Sequence, residues 1–448
     1  MKYDIVIKNA DILTPLERFS GDIAIKDEKI VTIGTIEKYA DIEIDANGRI
    51  VLPGLIDVHV HFDLRVSNTT TADDFYTGSI SAAFGGITTV IDFTDPLPHA
   101  TLPECISKRL EVAKKSFIDY GLHAVIVNWE SSRKEEIKEA VEMGVASFKF
   151  FTTYSESERR TDTPALLECF KEIAKYKGIA MVHSEDDEIV REFTQKTKKS
   201  PENYPYARPS IAEGLAIRTV SYLAEKTGVK LHIAHLSSEE GVNAVKEAVK
   251  NSKIDISVET APHYLWLTKE EAGIYNSVCP PLREKKDRLA LWEAVKSGII
   301  SIVSSDHCAF TKEQKDIGKE DFRKIPYGLP GVETIWPLFY TAGHFSYSIP
   351  IQQLLSFMTI NPAKRFGIYP KKGVIAPGSD ADIVVLSEGS RLVTSGVLHS
   401  ASEYTPYEGA KLYGFPDIVI SRGHILVKDG RFEGKRSGKF IRTGGIRE

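Results

Sequence analysis

Residues 50–61 read IVLPGLIDVHVH, an apolar run that ends on Asp57-Val58-His59-Val60-His61. Side chains two apart on a strand share a face, so His59 and His61 project to the same side. Seven more short apolar runs follow: GITTVIDF (86–93), LHAVIV (122–127), ASFKFF (146–151), IAMVHSE (179–185), KLHIAHLS (230–237), DISVETAPHY (255–264) and IISIVSSDH (299–307). Helix-like stretches such as PECISKRLEVAKKSF and PALLECFKEIAKYKG lie between them. Eight strand–helix units in series predict an α/β fold, a (β/α)8 TIM-like barrel. A doubly wound open sheet is the alternative, but it more often has six or fewer parallel strands and a glycine-rich nucleotide loop.

The chain ends read differently. YDIVIKNADIL, GDIAIKDEKIVTIG and ADIEIDANGRI at the start alternate with a period of two, as do DADIVVLSEGS, DIVISRGHILVKDGRF and GKFIRTG near the end. Alternation around Asn-Gly and Asp-Gly turns is an antiparallel β signature. Neither end has enough strands for a core of its own. The sequence therefore predicts a small β-sandwich domain formed from both termini, residues 1–50 and 365–448, around a barrel of residues 51–364.

The 448 residues are 42% hydrophobic and 27% charged, ordinary for a globular protein. A net charge of −5 argues against a nucleic-acid partner. No run approaches the ~18 apolar residues of a membrane span, and MKYDIVIKNADIL lacks the apolar core of a signal peptide, so the expectation is a cytoplasmic protein. The four cysteines, at 105, 169, 279 and 308, show no C-x-x-C spacing and read as reduced thiols.

Barrel enzymes keep their reactive groups at the C-terminal ends of the strands. There the sequence places His59, His61, Lys149, His183, His235 and Asp306. His232 and His235 are an odd number apart, which predicts opposite faces: His235 toward the axis, His232 against the helical shell. Lys149 alone reads as a structural lysine paired with a carboxylate. Beside the histidines it reads as a neutral amine that adds carbon dioxide to become an anionic carbamate. Four imidazoles and two anions suit two borderline cations such as zinc better than Mg²⁺ or Ca²⁺. The predicted cofactor is two Zn²⁺ bridged by carboxylated Lys149.

With these motifs the sequence resembles the cyclic amidohydrolases of the amidohydrolase superfamily, most of all the hydantoinase/dihydropyrimidinase branch. The resemblance runs from VLPGLIDVHVHFDL through SFKFFTTY, HSEDDEIV, HIAHLSS, ETAPHYL and SIVSSDHCAF to NPAKRFGIYPKKGVIAPGSDADIVVL. It implies His59 and His61 on one metal, His183 and His235 on the other, and Lys149 between them. It also implies Asp306 as metal ligand and proton shuttle, and Tyr154 as donor to the tetrahedral oxyanion. Dihydroorotases carry an arginine two residues after the second histidine; here that residue is Asp63, with Arg65 two further on. His263 matches the allantoinase and dihydroorotase pattern, Cys279 stands where the family commonly has serine, and Tyr327 where asparagine is common. The resemblance places Tyr154, Cys279, Tyr327 and His263 around the substrate.

The expected activity is hydrolysis of a hydantoin or dihydropyrimidine ring to an N-carbamoyl amino acid. An allantoinase- or dihydroorotase-like activity is the alternative, and a non-catalytic dihydropyrimidinase-like scaffold the rival from another class. The expected partners are a small cyclic amide and further copies of the chain, as tetramer or dimer.

Overall fold

A computed structural model describes residues 2–37, 39–66, 69–250 and 253–444. Eight parallel strands form the barrel: β1 (Leu55–Val60), β2 (Ile87–Phe93), β3 (Asp119–Val125), β4 (Ser147–Phe151), β5 (Ile179–His183), β6 (Lys230–Ile233), β7 (Ile256–Thr260) and β8 (Ile302–Val303). They pair in chain order. β1, β2 and β3 are buried at every position, as strands covered on both faces should be. The helices show why they form where they do. In Thr163–Lys175, the Asp162 carboxylate accepts the Ala165 N–H, proline occupies the first turn, and Leu166, Cys169, Phe170 and Ile173 bury one stripe.

The eighth strand is shorter than its apolar run. Beyond Val303, Ser305 gives its N–H to the Asp57 carboxylate at 3.0 Å, and Asp306 turns to φ 49°. The barrel closes beyond that turn, through a Val60–His307 bridge and the His61 N–H donating to the His307 carbonyl at 2.8 Å.

Strands from both chain ends build one nine-stranded sheet. The N-terminal half is Tyr3–Leu13, Arg18–Lys26, Lys29–Gly34, Ala40–Asp45 and Ile50–Pro53. The C-terminal half is Ile383–Leu386, Pro416–Ser421, His424–Lys428 and Arg431–Phe432. Ile50–Pro53 joins the halves, pairing with the first strand on one side and with Ile383–Leu386 on the other. The sheet curls, because a Lys29–Asp380 bridge ties its far edge back to the segment entering Ile383–Leu386. Ile7, Ile12, Ile25, Val51, Ile383 and Ile420 are among the side chains of its separate core. GKFIRTG does not join this sheet. Tyr120 exchanges backbone bonds with that segment, its N–H donating to the Lys439 carbonyl at 3.0 Å and its carbonyl accepting the Ile441 N–H at 2.7 Å, so the segment runs along β3 instead.

Barrel and sheet are joined by buried charge. Lys372 Nζ lies 2.6 Å from both Asp119 and Asp382 and 3.0 Å from Asp380, and Arg422 Nε donates to Asp119 at 2.9 Å. Among the described residues, no helix is long and apolar enough to cross a membrane.

Candidate metal centre

β1 delivers His59 and His61 to the barrel mouth. His59 is buried, its Nδ1 2.5 Å from Glu259 Oε1 and its Nε2 3.3 Å from Asp306 Oδ1. The carboxylate at Nδ1 holds the proton there and leaves the Nε2 lone pair bare. His61 brings its Nε2 to 3.3 Å from the same Asp306 oxygen. Burial favours a neutral Asp306, but His59 and His61 hold its carboxyl below the usual range. Ligand atoms of His59, His61 and Asp306 all lie within 4.8 Å of one another, an N2O set that could hold a metal ion.

His183 ends β5. Its Nε2 is taken by Glu185 at 2.7 Å, and its Nδ1 faces His235 Nε2 at 3.1 Å. Two imidazole nitrogens converge there, an arrangement that one shared proton or a cation would satisfy. Burial lowers the His183 imidazolium to about 4. Glu185 and Cys279 also lie within ligand distance of His183. Glu185 is already engaged by Arg208, at 3.1 Å from Nε and 2.6 Å from Nη2, so it acts as an anion that orients His183. The His59 and His235 rings are 5.3 Å apart, which makes the two histidine pairs neighbours.

Lys149 stands between them on β4. It is 1% exposed, its Nζ has no hydrogen-bond partner, and the Phe93 and Phe151 rings lie at 5.2 and 5.5 Å. Burial lowers its ammonium to about 8, which raises the fraction present as the neutral, nucleophilic amine. An orphaned amine among imidazoles fits a lysine that gains further atoms and a cation.

Tyr154 follows β4 at φ 73°, with its ring 5.1 Å from His183 and the Arg208 guanidinium 4.9 Å from its centroid. Its hydroxyl donates to Cys279 Sγ at 2.8 Å, and burial pushes that thiol up to about 12. His263 is buried with its Nε2 unpartnered, and burial lowers it to about 4, opposed by the Asp306 charge. Tyr327 stacks on Tyr204 and gives its hydroxyl to the Phe322 carbonyl at 2.8 Å.

His232 corrects the sequence reading. It lies inside the barrel, its ring 5.4 Å from Phe366, its Nδ1 2.7 Å from Ser257 Oγ and its Nε2 3.3 Å from Glu259. Face alternation fails because β6 ends at Ile233 and His235 takes φ 34°, which returns its ring to the axis. The sequence reading did not single out Glu259, Glu185 or Arg208 as site residues. A period-two reading of SVET would have turned Glu259 inward with Ser257. His123, on β3, is another inward histidine, held by Ser147 Oγ at 2.6 Å and the Val58 carbonyl at 2.9 Å.

Known proteins share this architecture over the whole chain. The amidohydrolase family model matches residues 50–426. A D-hydantoinase of Ralstonia pickettii is 37% identical over 453 residues, covering 98% of each chain. A solved D-hydantoinase structure superposes with a TM-score of 0.95 at 37% identity, covering 98% of this chain and 99% of that one. The dihydropyrimidinase from Brevibacillus agri superposes with 0.94 at 32% identity, covering 98% of both. The fold, the histidine pairs and these matches agree: the chain belongs to the amidohydrolase family of metal-dependent hydrolases.

Proposed function

We propose that the protein is a binuclear zinc hydrolase that opens a cyclic amide or imide ring. The substrates are 5-substituted hydantoins or dihydropyrimidines, and the products N-carbamoyl amino acids. The observation that carries this reading is Lys149, an unpartnered buried amine between two convergent histidine pairs. Carboxylated at Nζ, it becomes the anion that two neighbouring dications need. His59 and His61 would hold one ion and His183 and His235 the other, with Asp306 beside the first pair. When bound, the ions acidify a water and polarise the scissile carbonyl. Asp306 takes the proton of the attacking water and returns it to the departing ring nitrogen. The Tyr154 phenol leaves Cys279 and donates to the developing oxyanion. Cys279, Tyr327 and His263 shape the pocket around the ring.

The unpartnered His263 Nε2 favours a second reading, an allantoinase- or dihydroorotase-like substrate. The scaffold reading is opposed by all six candidate ligand positions being filled with converging side chains. Ile211, Leu215 and Tyr222 leave apolar surface on helix Ser210–Thr227, which supports a homo-oligomer, dimer or tetramer. The test is zinc content together with steady-state rates on hydantoin, dihydrouracil, allantoin and dihydroorotate. Two zinc ions and fastest turnover of hydantoin or dihydrouracil are expected. A metal-loaded protein inert on all four overturns the reading.

A further inference from the structure

Glu259 is fully buried on β7, with its carboxylate inside the barrel. Its two oxygens are divided between two tasks. Oε1 lies 2.5 Å from His59 Nδ1 and accepts the backbone N–H of His235 at 3.3 Å. Oε2 accepts the Ser304 hydroxyl at 2.9 Å and lies 3.3 Å from His232 Nε2. One oxygen thus touches a member of each histidine pair, and the other is anchored by neighbouring strands. The His235 contact matters because φ 34° is a conformation that a non-glycine residue keeps only when its surroundings impose it.

We infer that Glu259 is a positioning residue that couples the two halves of the metal centre, so that its loss weakens both ions together. The inference rests on the binuclear reading above. Glu259 fixes the His59 tautomer that leaves Nε2 free for one ion, and it restrains the backbone that aims His235 at the other. Glu185 supplies the contrast. It holds His183 Nε2 at 2.7 Å with Arg208 behind it, and none of its hydrogen bonds reaches His59 or His61.

The experiment is zinc occupancy titrated against a chelator of known affinity, on wild type, Glu259→Gln, Glu185→Gln and Ser304→Ala. Wild type should hold two ions. Glu259→Gln should release both at a free-zinc level raised roughly 10–100-fold, the usual cost of removing a carboxylate behind a histidine ligand. Glu185→Gln should weaken one ion and leave the other. Ser304→Ala should weaken both by a smaller factor, because Glu259 keeps its charge but loses an anchor. At saturating zinc, KM of Glu259→Gln should match wild type. Circular dichroism of the zinc-free proteins checks folding, and if Glu259→Gln does not fold, Ser304→Ala decides alone. Loss of one ion only, or of neither, in the folded variant overturns the coupling. A wild type that holds fewer than two ions overturns the binuclear reading instead.

Discussion

Lys149→Ala removes the buried amine beside the two histidine pairs, and with it the proposed bridging anion. The variant should bind at most one ion and lose turnover, and a short carboxylic acid added to the medium should restore part of both. Metal analysis with an activity assay reads this out; two ions and normal turnover would exclude the carbamate. Asp306→Asn keeps the side-chain shape but cannot take a proton. Its kcat should fall by roughly 10²–10⁴-fold or more, with circular dichroism unchanged. A folded, metal-loaded variant within tenfold of wild type would remove Asp306 from proton transfer. Both residues stood out in the sequence only through their company: alone, a buried lysine reads as structural and a strand-end aspartate as a helix cap, and the histidines at the other strand ends made them site candidates. Glu185, Arg208 and Glu259 did not stand out, because an acidic or basic residue reads as surface until its buried partner is known.

At the level of the element, β6 separates two histidines that differ in what they touch. His235→Ala deletes the nitrogen that faces His183, whereas His232→Ala deletes a neighbour of Glu259. The first should abolish binding of the second ion and nearly all activity. The second should lower metal affinity and keep measurable turnover at saturating zinc. Zinc titrations on both variants check the order, and equal losses at saturating zinc would contradict it. The sequence located every barrel strand, since eight apolar runs of strand length are hard to read otherwise. It misplaced His232 because alternation holds only while the backbone stays extended, and β6 stops two residues before His235. The tail segment 438–444 was misread for the opposite reason: it alternates like a sheet strand but finds its partner in β3.

At the scale of the whole molecule, the ionic contact between barrel and sheet is a stability element. Lys372→Met would leave Asp119, Asp380 and Asp382 buried with one fewer cation. Removing one partner of a buried pair costs about 3–5 kcal/mol, so the urea midpoint should fall clearly. An unchanged midpoint would mean that Arg422 and Lys29 carry the charge. The inward histidines set the acid limit. Burial lowers His123 to about 3, whereas an unfolded histidine titrates near 6.5. Between those values the unfolded chain binds the extra proton, so the His123 contribution to stability is full above about 6.5 and falls toward pH 3, by about 1.4 kcal/mol per pH unit. Thermal midpoints of the zinc-free protein between pH 7 and 4 should show this decline, and His123→Gln should make it shallower. That the chain ends share a domain was legible from their common alternation. The curl of the sheet and the buried charges under it depend on contacts between residues hundreds of positions apart, such as Lys372 with Asp119, and no local pattern announces them.

The strand Ile50–Pro53 has its antiparallel partner, Ile383–Leu386, about 330 residues further along the chain. At ribosomal speeds of about 5–20 residues per second, that partner emerges roughly a quarter of a minute to a minute later. Throughout synthesis the N-terminal strands therefore wait with an apolar edge uncovered while the barrel assembles behind them. A chain interrupted before residue 383 carries an open edge that nothing within it can close, and such fragments should be sticky, chaperone-bound or quickly degraded.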